Sequence, residues 1–459
     1  MELKKKLKML GVIATILIII FVVLIIIAEK FNDTPDKENH VNPNEQIDVN
    51  ETKFEKIAKD VNTYIVNKDY KSIYVLFTSD LKKQMTLKRF KNESKNILNN
   101  VGKFIKYADV LVTENEDYIS SKSFIKYKES GVCVNLFLDT RGKIDGITLD
   151  YCTVPTSTED YTENYVSIGK YSLHGLLTLP NDVKNPPVVI LVQDINNVDM
   201  DSKIYKNKPF ANIAHSLAKK GIAVLRFNKR FMQYSKLQNT AYTIEDSILD
   251  DVTSAVELML KDNRIDKNNI YIAGHGLGGS LTPIIANNNP KIKGIISLAG
   301  SPRHYADILF DQYTCEIGAS DKSDNTKLKE LNDVKNSVSK IKKIKKDGDG
   351  HILLYSKSFW NSLNKLNIEK IVKKLDKPIL ILQGEDDFQT YAAVDYIKWQ
   401  EILKDKENCS FKLYPGLNHY FMKSNGKDIS EAKEEYNIKG TVDKDVISDI
   451  ANWIKENSM

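Results

Sequence analysis

At 459 residues the chain exceeds one ordinary hydrophobic core, so two or three domains are expected. With 42% hydrophobic residues, 28% charged residues and 12 prolines, most of it must bury real cores, which excludes a wholly disordered chain. The net charge of +5 is the small remainder of 66 basic and 61 acidic residues with both signs mixed, and no nucleic-acid module accompanies it, so no nucleic-acid partner is expected.

The chain opens with Lys4, Lys5, Lys6 and Lys8, followed by an unbroken apolar stretch from Met9 to Ala28. That is about the 20 residues a helix needs to cross a bilayer. A cleaved signal peptide, the alternative, would show a shorter apolar region and an A-x-A-like site. Residues 1–30 therefore read as a cytoplasmic basic flank and a membrane anchor through residues 9–28, with everything after Lys30 placed outside the cell membrane by the positive-inside rule. Residues 31–50, rich in Asn, Asp, Glu and Pro, lack the apolar groups to fold and read as a disordered spacer.

From Glu51 to about Asn100 apolar residues recur at helical spacing, as in Phe54, Ile57, Ala58, Val61, Tyr64 and Ile65, and predict two or three helices. From Phe104 the pattern alternates: strands are predicted at Tyr107 to Val112, Tyr118 to Tyr127, Val132 to Leu138 and Ile144 to Leu149. Helices followed by an antiparallel sheet make a small α+β domain over residues 51–152, whose concave sheet face could hold a ligand. The order resembles the small NTF2-like domains of the DUF3887 type that precede hydrolases in some membrane proteins. The four cysteines, Cys133, Cys152, Cys315 and Cys409, have no zinc-ligand spacing, and no metal or other cofactor is expected. Cys133 and Cys152 share this domain and could pair in an oxidising compartment.

From Tyr161 onward strand and helix patterns alternate. A leading hairpin is followed by strands at Pro187 to Val192, Ile222 to Phe227, Ile270 to Ala273, Ile292 to Leu298, Pro378 to Gln383 and Ser410 to Tyr414, with helices between them. Such alternation predicts an α/β domain over residues 161–459 with a doubly wound, mostly parallel sheet. A Lys/Asp/Asn/Ser-rich stretch over residues 313–375 breaks the rhythm and is expected to form a lid.

The sharpest signal is Tyr271-Ile272-Ala273-Gly274-His275-Gly276-Leu277-Gly278-Gly279, running from a buried strand into a helix. It resembles the nucleophile elbow G-x-S-x-G of the α/β-hydrolases, with Gly276 where the nucleophilic serine stands. The family's acid is matched by Asp387 in Gly384-Glu385-Asp386-Asp387, and its base by His419 in Asn418-His419. Other segments, notably Leu173 to Pro180, Gly221 to Arg226 and Leu413 to Phe421, resemble the exported serine aminopeptidase or dienelactone hydrolase-like branch. The resemblance implies a cofactor-free hydrolase acting on a small ester or peptide-like molecule. Its oxyanion hole would draw on Leu277, after the elbow, and on a Gly-rich loop that here reads Gln193-Asp194-Ile195-Asn196-Asn197. Both expected glycines are gone, and Asp194 sets a carboxylate where negative charge would have to develop.

A glycine cannot form an acyl-enzyme, so a degenerate hydrolase that has kept its pocket is expected. One alternative is an active ester or amide hydrolase using a His419-activated water, or a lid serine such as Ser356 or Ser358. Another is a surface protein that binds through its N-terminal domain. His275 is expected to pack beside the elbow, Ser280 to face away from the nucleophile position, and Asp386 and Asp395 to be solvated.

Overall fold

The structure of the protein is a computed structural model that describes residues 52–114 and 119–458. The apolar stretch 9–28 and the spacer 31–50 lie outside the described residues, among which no helix is long and apolar enough to cross a membrane.

The first domain has four helices, Lys53–Val66, Tyr70–Val75, Ser79–Gln84 and Leu87–Leu98. The last three begin at side-chain caps, Asp69, Thr78 and Thr86, each accepting a backbone N–H of the first turn. An antiparallel meander follows, in the order β1 (Phe104–Glu114), β2 (Ile119–Tyr127), β3 (Gly131–Leu138) and β4 (Ile144–Cys152). On β2 the two-residue period separates two uses of the sheet. Ser123 donates to Asn62 of the first helix at 2.7 Å, whereas Lys122 and Phe124 turn to the other face. There Lys122 Nζ meets Tyr165 Oη at 2.6 Å and His174 Nε2 at 2.7 Å, and the Phe124 ring lies 5.5 Å from that of Tyr165. This face thus packs on the second domain, with burial lowering the Lys122 ammonium to about 8. Cys133 and Cys152 are joined by a disulfide across β3 and β4, their Cα atoms 5.8 Å apart.

The second domain is built on eight strands, β5 (Tyr161–Ile168), β6 (Leu173–Pro180), β7 (Val188–Val192), β8 (Ala223–Phe227), β9 (Ile270–His275), β10 (Ile292–Leu298), β13 (Ile379–Gly384) and β14 (Cys409–Tyr414), with a two-residue hairpin, β11 (His351–Ile352) and β12 (Tyr355–Ser356), set apart. The sheet order is β5-β6-β8-β7-β9-β10-β13-β14. Only β6 runs antiparallel to its neighbours β5 and β8; every other pairing is parallel. Along β7 every side chain is buried, Val188, Ile190 and Val192 in one core and Val189 and Leu191 in the other. Helices cover both faces, which is why these strands read as continuous apolar runs rather than as alternation. This is the α/β-hydrolase architecture.

The insertion between β10 and β13 begins earlier than sequence suggests. Helix Tyr305–Ala319 is followed by Asp324–Ile341, the β11–β12 hairpin, Lys357–Asn364 and Ile368–Lys374. The polar stretch conceals a helix because only Val338 and Ile341 of residues 324–341 are buried. Two further expectations need correction. Asp395 is fully buried, accepting from Arg303 Nε at 2.6 Å and Nη2 at 3.0 Å, while Asp386 is exposed. Ser356 caps the helix Lys357–Asn364 and donates to the Tyr242 carbonyl at 2.6 Å, and Ser358 accepts from Gly348 N at 3.1 Å, so both lid hydroxyls are committed to backbone.

A buried ionic network holds the front of the sheet. Arg226 on β8 contacts Glu163 on β5 at 2.7 Å and Asp201 at 3.0 Å, and Asp201 also contacts Lys208 at 3.0 Å. Asp201 lies midway along the loop that leaves β7, so the network ties down the chain segment carrying Asp194. Burial opposes the Glu163 charge, but His215 and Arg226 carry its pKa down to about 2. Removing the cation leaves buried Glu163 with only His215 and buried Asp201 with only Lys208, so Arg226→Met is expected to lower the unfolding free energy by about 3 kcal/mol in urea titrations. A depressed carboxylate stabilises above its unfolded pKa and loses that contribution as pH falls through the folded one. The stability gap between the native chain and Glu163→Gln should therefore narrow between about pH 4.5 and about pH 2.

Candidate functional site

The elbow follows β9 directly. Gly276 has φ +56° and ψ −123°, its N–H bonded to Leu298 O at 3.0 Å, and a helix begins at Leu277. Few L-residues adopt this backbone, and the turn is tight on both sides: a Cβ at Gly278 would lie 2.7 Å from the Val192 carbonyl oxygen. A Cβ at Gly276 would meet the Asp194 carboxylate, 2.6 Å and 2.7 Å from its oxygens. The volume that a nucleophile's side chain would need is thus filled by Asp194.

Asp194 also takes up the oxyanion donors. Its Oδ1 accepts from Leu277 N at 2.7 Å and from Ile195 N at 2.7 Å. This corrects the expected hole. Leu277 contributes its N–H, but the second donor is Ile195 rather than Asp194, which supplies the anion that occupies the pair. Lys229 holds the loop from behind, donating to Asp194 O at 2.6 Å and Ile195 O at 3.0 Å. Burial lowers this ammonium to about 8, against the favourable charges of Asp194 and Asp251.

The acid and base meet across two loops. His419 Nδ1 lies 2.7 Å from Asp387 Oδ2, and Asp387 further accepts from Gln383 Nε2 at 2.8 Å, Gln389 N at 2.8 Å and Thr390 N at 2.9 Å. Both side chains are almost fully buried. Burial pushes the His419 pKa down, but the charge and hydrogen bond of Asp387 outweigh it and raise the pKa overall. His275 points into the same volume, its Nε2 at 2.9 Å from His419 O and its ring 4.4 Å from that of His419. Burial and the neighbouring His419 lower it to about 4, so it stays neutral at physiological pH. Ser280 bonds to Gly276 O at 3.3 Å and to Ser301 N at 2.9 Å, behind the elbow.

The insertion stands over this volume. Gln312 donates to Gln389 O at 2.9 Å, beside Asp387, and burial together with the Asp194 charge raises the Tyr305 and Tyr355 hydroxyl pKa values. The sequence brought Gly276, Asp387, His419, Leu277 and Asp194 to attention. It missed Ile195 as a donor, Lys229 as an anchor and His275 as a member of the site. The one available signal for His275 was its place inside the elbow motif.

Residues 206–425 match the family model described as serine aminopeptidase, S33, and residues 58–147 match DUF3887, a domain of unknown function. The chain is 27% identical over 404 residues to esterase EstD of Thermotoga maritima, covering 85% of this chain and 93% of that protein. Among solved structures it is similar to Est1E from Butyrivibrio proteoclasticus, with 19% identity, 64% of this chain, 98% of that one and a TM-score of 0.40. It is also similar to an esterase of Pyrococcus furiosus, with 10% identity, 66% of this chain, 95% of that one and a TM-score of 0.39.

Gly276→Ala tests the fit of glycine to carboxylate. A Cβ in this left-handed backbone and against Asp194 is expected to cost about 2 kcal/mol or more by chemical denaturation. In an Asp194→Gly background the same change should cost only about 1 kcal/mol of backbone strain, a coupling between neighbours that a double-mutant cycle reads directly.

Proposed function

From a chain that joins a DUF3887 domain to an α/β-hydrolase domain, we propose an exported, membrane-anchored relative of serine esterases that has lost acyl-serine chemistry and binds a small ester or peptide-like molecule at the cell surface. The observation that carries this reading is the Asp194 carboxylate, which fills the space beside Gly276 and accepts both oxyanion-hole N–H groups. An acyl-enzyme needs a nucleophile there, and its tetrahedral intermediate needs those two donors free. A fixed anion in the hole opposes a second negative charge at the same place.

The exported placement is supported by two observations. Lys4 to Lys8 precede the apolar stretch 9–28, and the Cys133–Cys152 disulfide suits an oxidising compartment. Protease added to intact cells should degrade the chain beyond residue 30; protection until the cells are lysed would refute the orientation.

The pocket is tested by fluorophosphonate labelling of the full chain and three variants. The native chain, Gly276→Ser and Asp194→Gly are expected to stay unlabelled. Gly276→Ser fails because its side chain collides with Asp194, whereas Gly276→Ser with Asp194→Gly should label, the His419–Asp387 pair being poised to activate the new hydroxyl. Labelling or ester turnover by the native chain would sink the reading.

A further inference from the structure

Without a serine hydroxyl, the base of the site has nothing to hydrogen-bond. His419 uses Nδ1 on Asp387 and His275 uses Nε2 on the His419 carbonyl oxygen. The nitrogens that remain, His419 Nε2 and His275 Nδ1, are buried and have no hydrogen-bond partner among the described residues. One ligand-capable atom from each of Asp194, His275 and His419 lies within 4.8 Å of the others. We propose that these three side chains bind one divalent transition-metal ion of the zinc class.

Four features support the assignment, which rests on the absence of the serine argued above. The donor set is two imidazoles and one carboxylate, the three-ligand set of hydrolytic zinc sites. Each imidazole donates its far N–H to a fixed acceptor, a carboxylate for His419 and a backbone carbonyl for His275, leaving the near nitrogen as an unprotonated lone pair. On Asp194, Oδ1 is held by two N–H groups, while Oδ2 accepts no hydrogen bond among the described residues. Two acidic side chains, Asp194 and Asp387, stand against the two imidazoles, one beside the proposed ion and one behind His419, a setting that favours a cation.

Gly276 is part of the same arrangement, because any side chain there would displace Asp194. Metal–ligand bonds of about 2.0–2.2 Å in a tetrahedron put ligand atoms about 3.3–3.6 Å apart. Closure from within 4.8 Å therefore needs the ligand atoms to draw together by about 1 Å on binding. No metal-ligand spacing in the chain announces such a site, because its ligands come from three separate segments, the loop after β7, the end of β9 and the loop after β14.

The test uses the full chain, stripped with chelator and titrated with Co²⁺ and then Zn²⁺. One equivalent of Co²⁺ should bind, with the visible ligand-field bands of a four- or five-coordinate centre, and Zn²⁺ should displace it. Asp194→Asn, which can still accept both N–H bonds, and His419→Asn should each weaken binding by at least about 100-fold. Asp387→Asn, which touches no metal, should weaken it by about 10- to 100-fold. Melting curves without metal establish that the variants are folded. No saturable binding to the native chain, or equal affinity in the folded variants, would overturn the proposal. The native chain's inertness to fluorophosphonate is expected in either event, so the two readings fail separately.

Discussion

The contact on which the site depends is a carboxylate bound by two backbone N–H groups, Asp194 Oδ1 with Leu277 N and Ile195 N, each at 2.7 Å. Charge-assisted bonds of this kind are about twice as strong as neutral ones. The bond from Leu277 N joins the loop after β7 to the turn after β9, two segments that the parallel β7–β9 pairing places side by side, while the bond from Ile195 N stays within the loop. In a serine hydrolase the same two donors must wait for a charge that exists only during reaction. In this protein a carboxyl group of the chain itself occupies them. The carboxyl group fills the space beside Gly276 while the elbow keeps its sharp strand-to-helix turn.

Glycine and aspartate are therefore two halves of one substitution. A side chain at position 276 and a carboxylate at position 194 compete for the same few cubic ångströms, and the backbone at φ +56° favours the residue without a Cβ. The rest of the neighbourhood holds Asp194 in place. Lys229 anchors its carbonyl, and Arg226 anchors Asp201 further along the same loop. Both cations are buried, so each is stable only while its oxygen partners remain, which ties the conformation of the loop to the integrity of β8 and its flanks.

Much of the architecture was legible in the sequence because parallel strands covered on both faces are continuous apolar runs, and β7, β8, β9 and β13 announce themselves as such. The elbow was legible because its glycines are forced by close backbone approach. The insertion was less so: residues 324–341 bury only two side chains, and a helix that rests on so little leaves almost no periodic signal. Asp395 was read as solvated because a lone acidic residue usually is, and only the fold brings Arg303 to it. The site followed the same rule. Residues that match a motif could be located, while those that act through space, Ile195, Lys229 and His275, could not, since their roles depend on which loops meet.

The retained His419–Asp387 pair can be judged on energy. Burying an imidazole with one nitrogen unsatisfied costs about 1–3 kcal/mol. A pair kept only to fasten two loops would avoid that cost by turning the free nitrogen to solvent or to a protein acceptor. His419 does neither: Nε2 is buried, and so is Nδ1 of His275 alongside it, whose far nitrogen is fixed by the His419 carbonyl. Two orphaned nitrogens facing one volume, beside an Asp194 oxygen with no donor, form a set of unmet valences with a common focus. The Asp387 loop alone is fully satisfied, with Gln383, Gln389 and Thr390 all donating to it. The two orphaned nitrogens of the site thus face the volume beside Gly276, which is where an occupant would complete it.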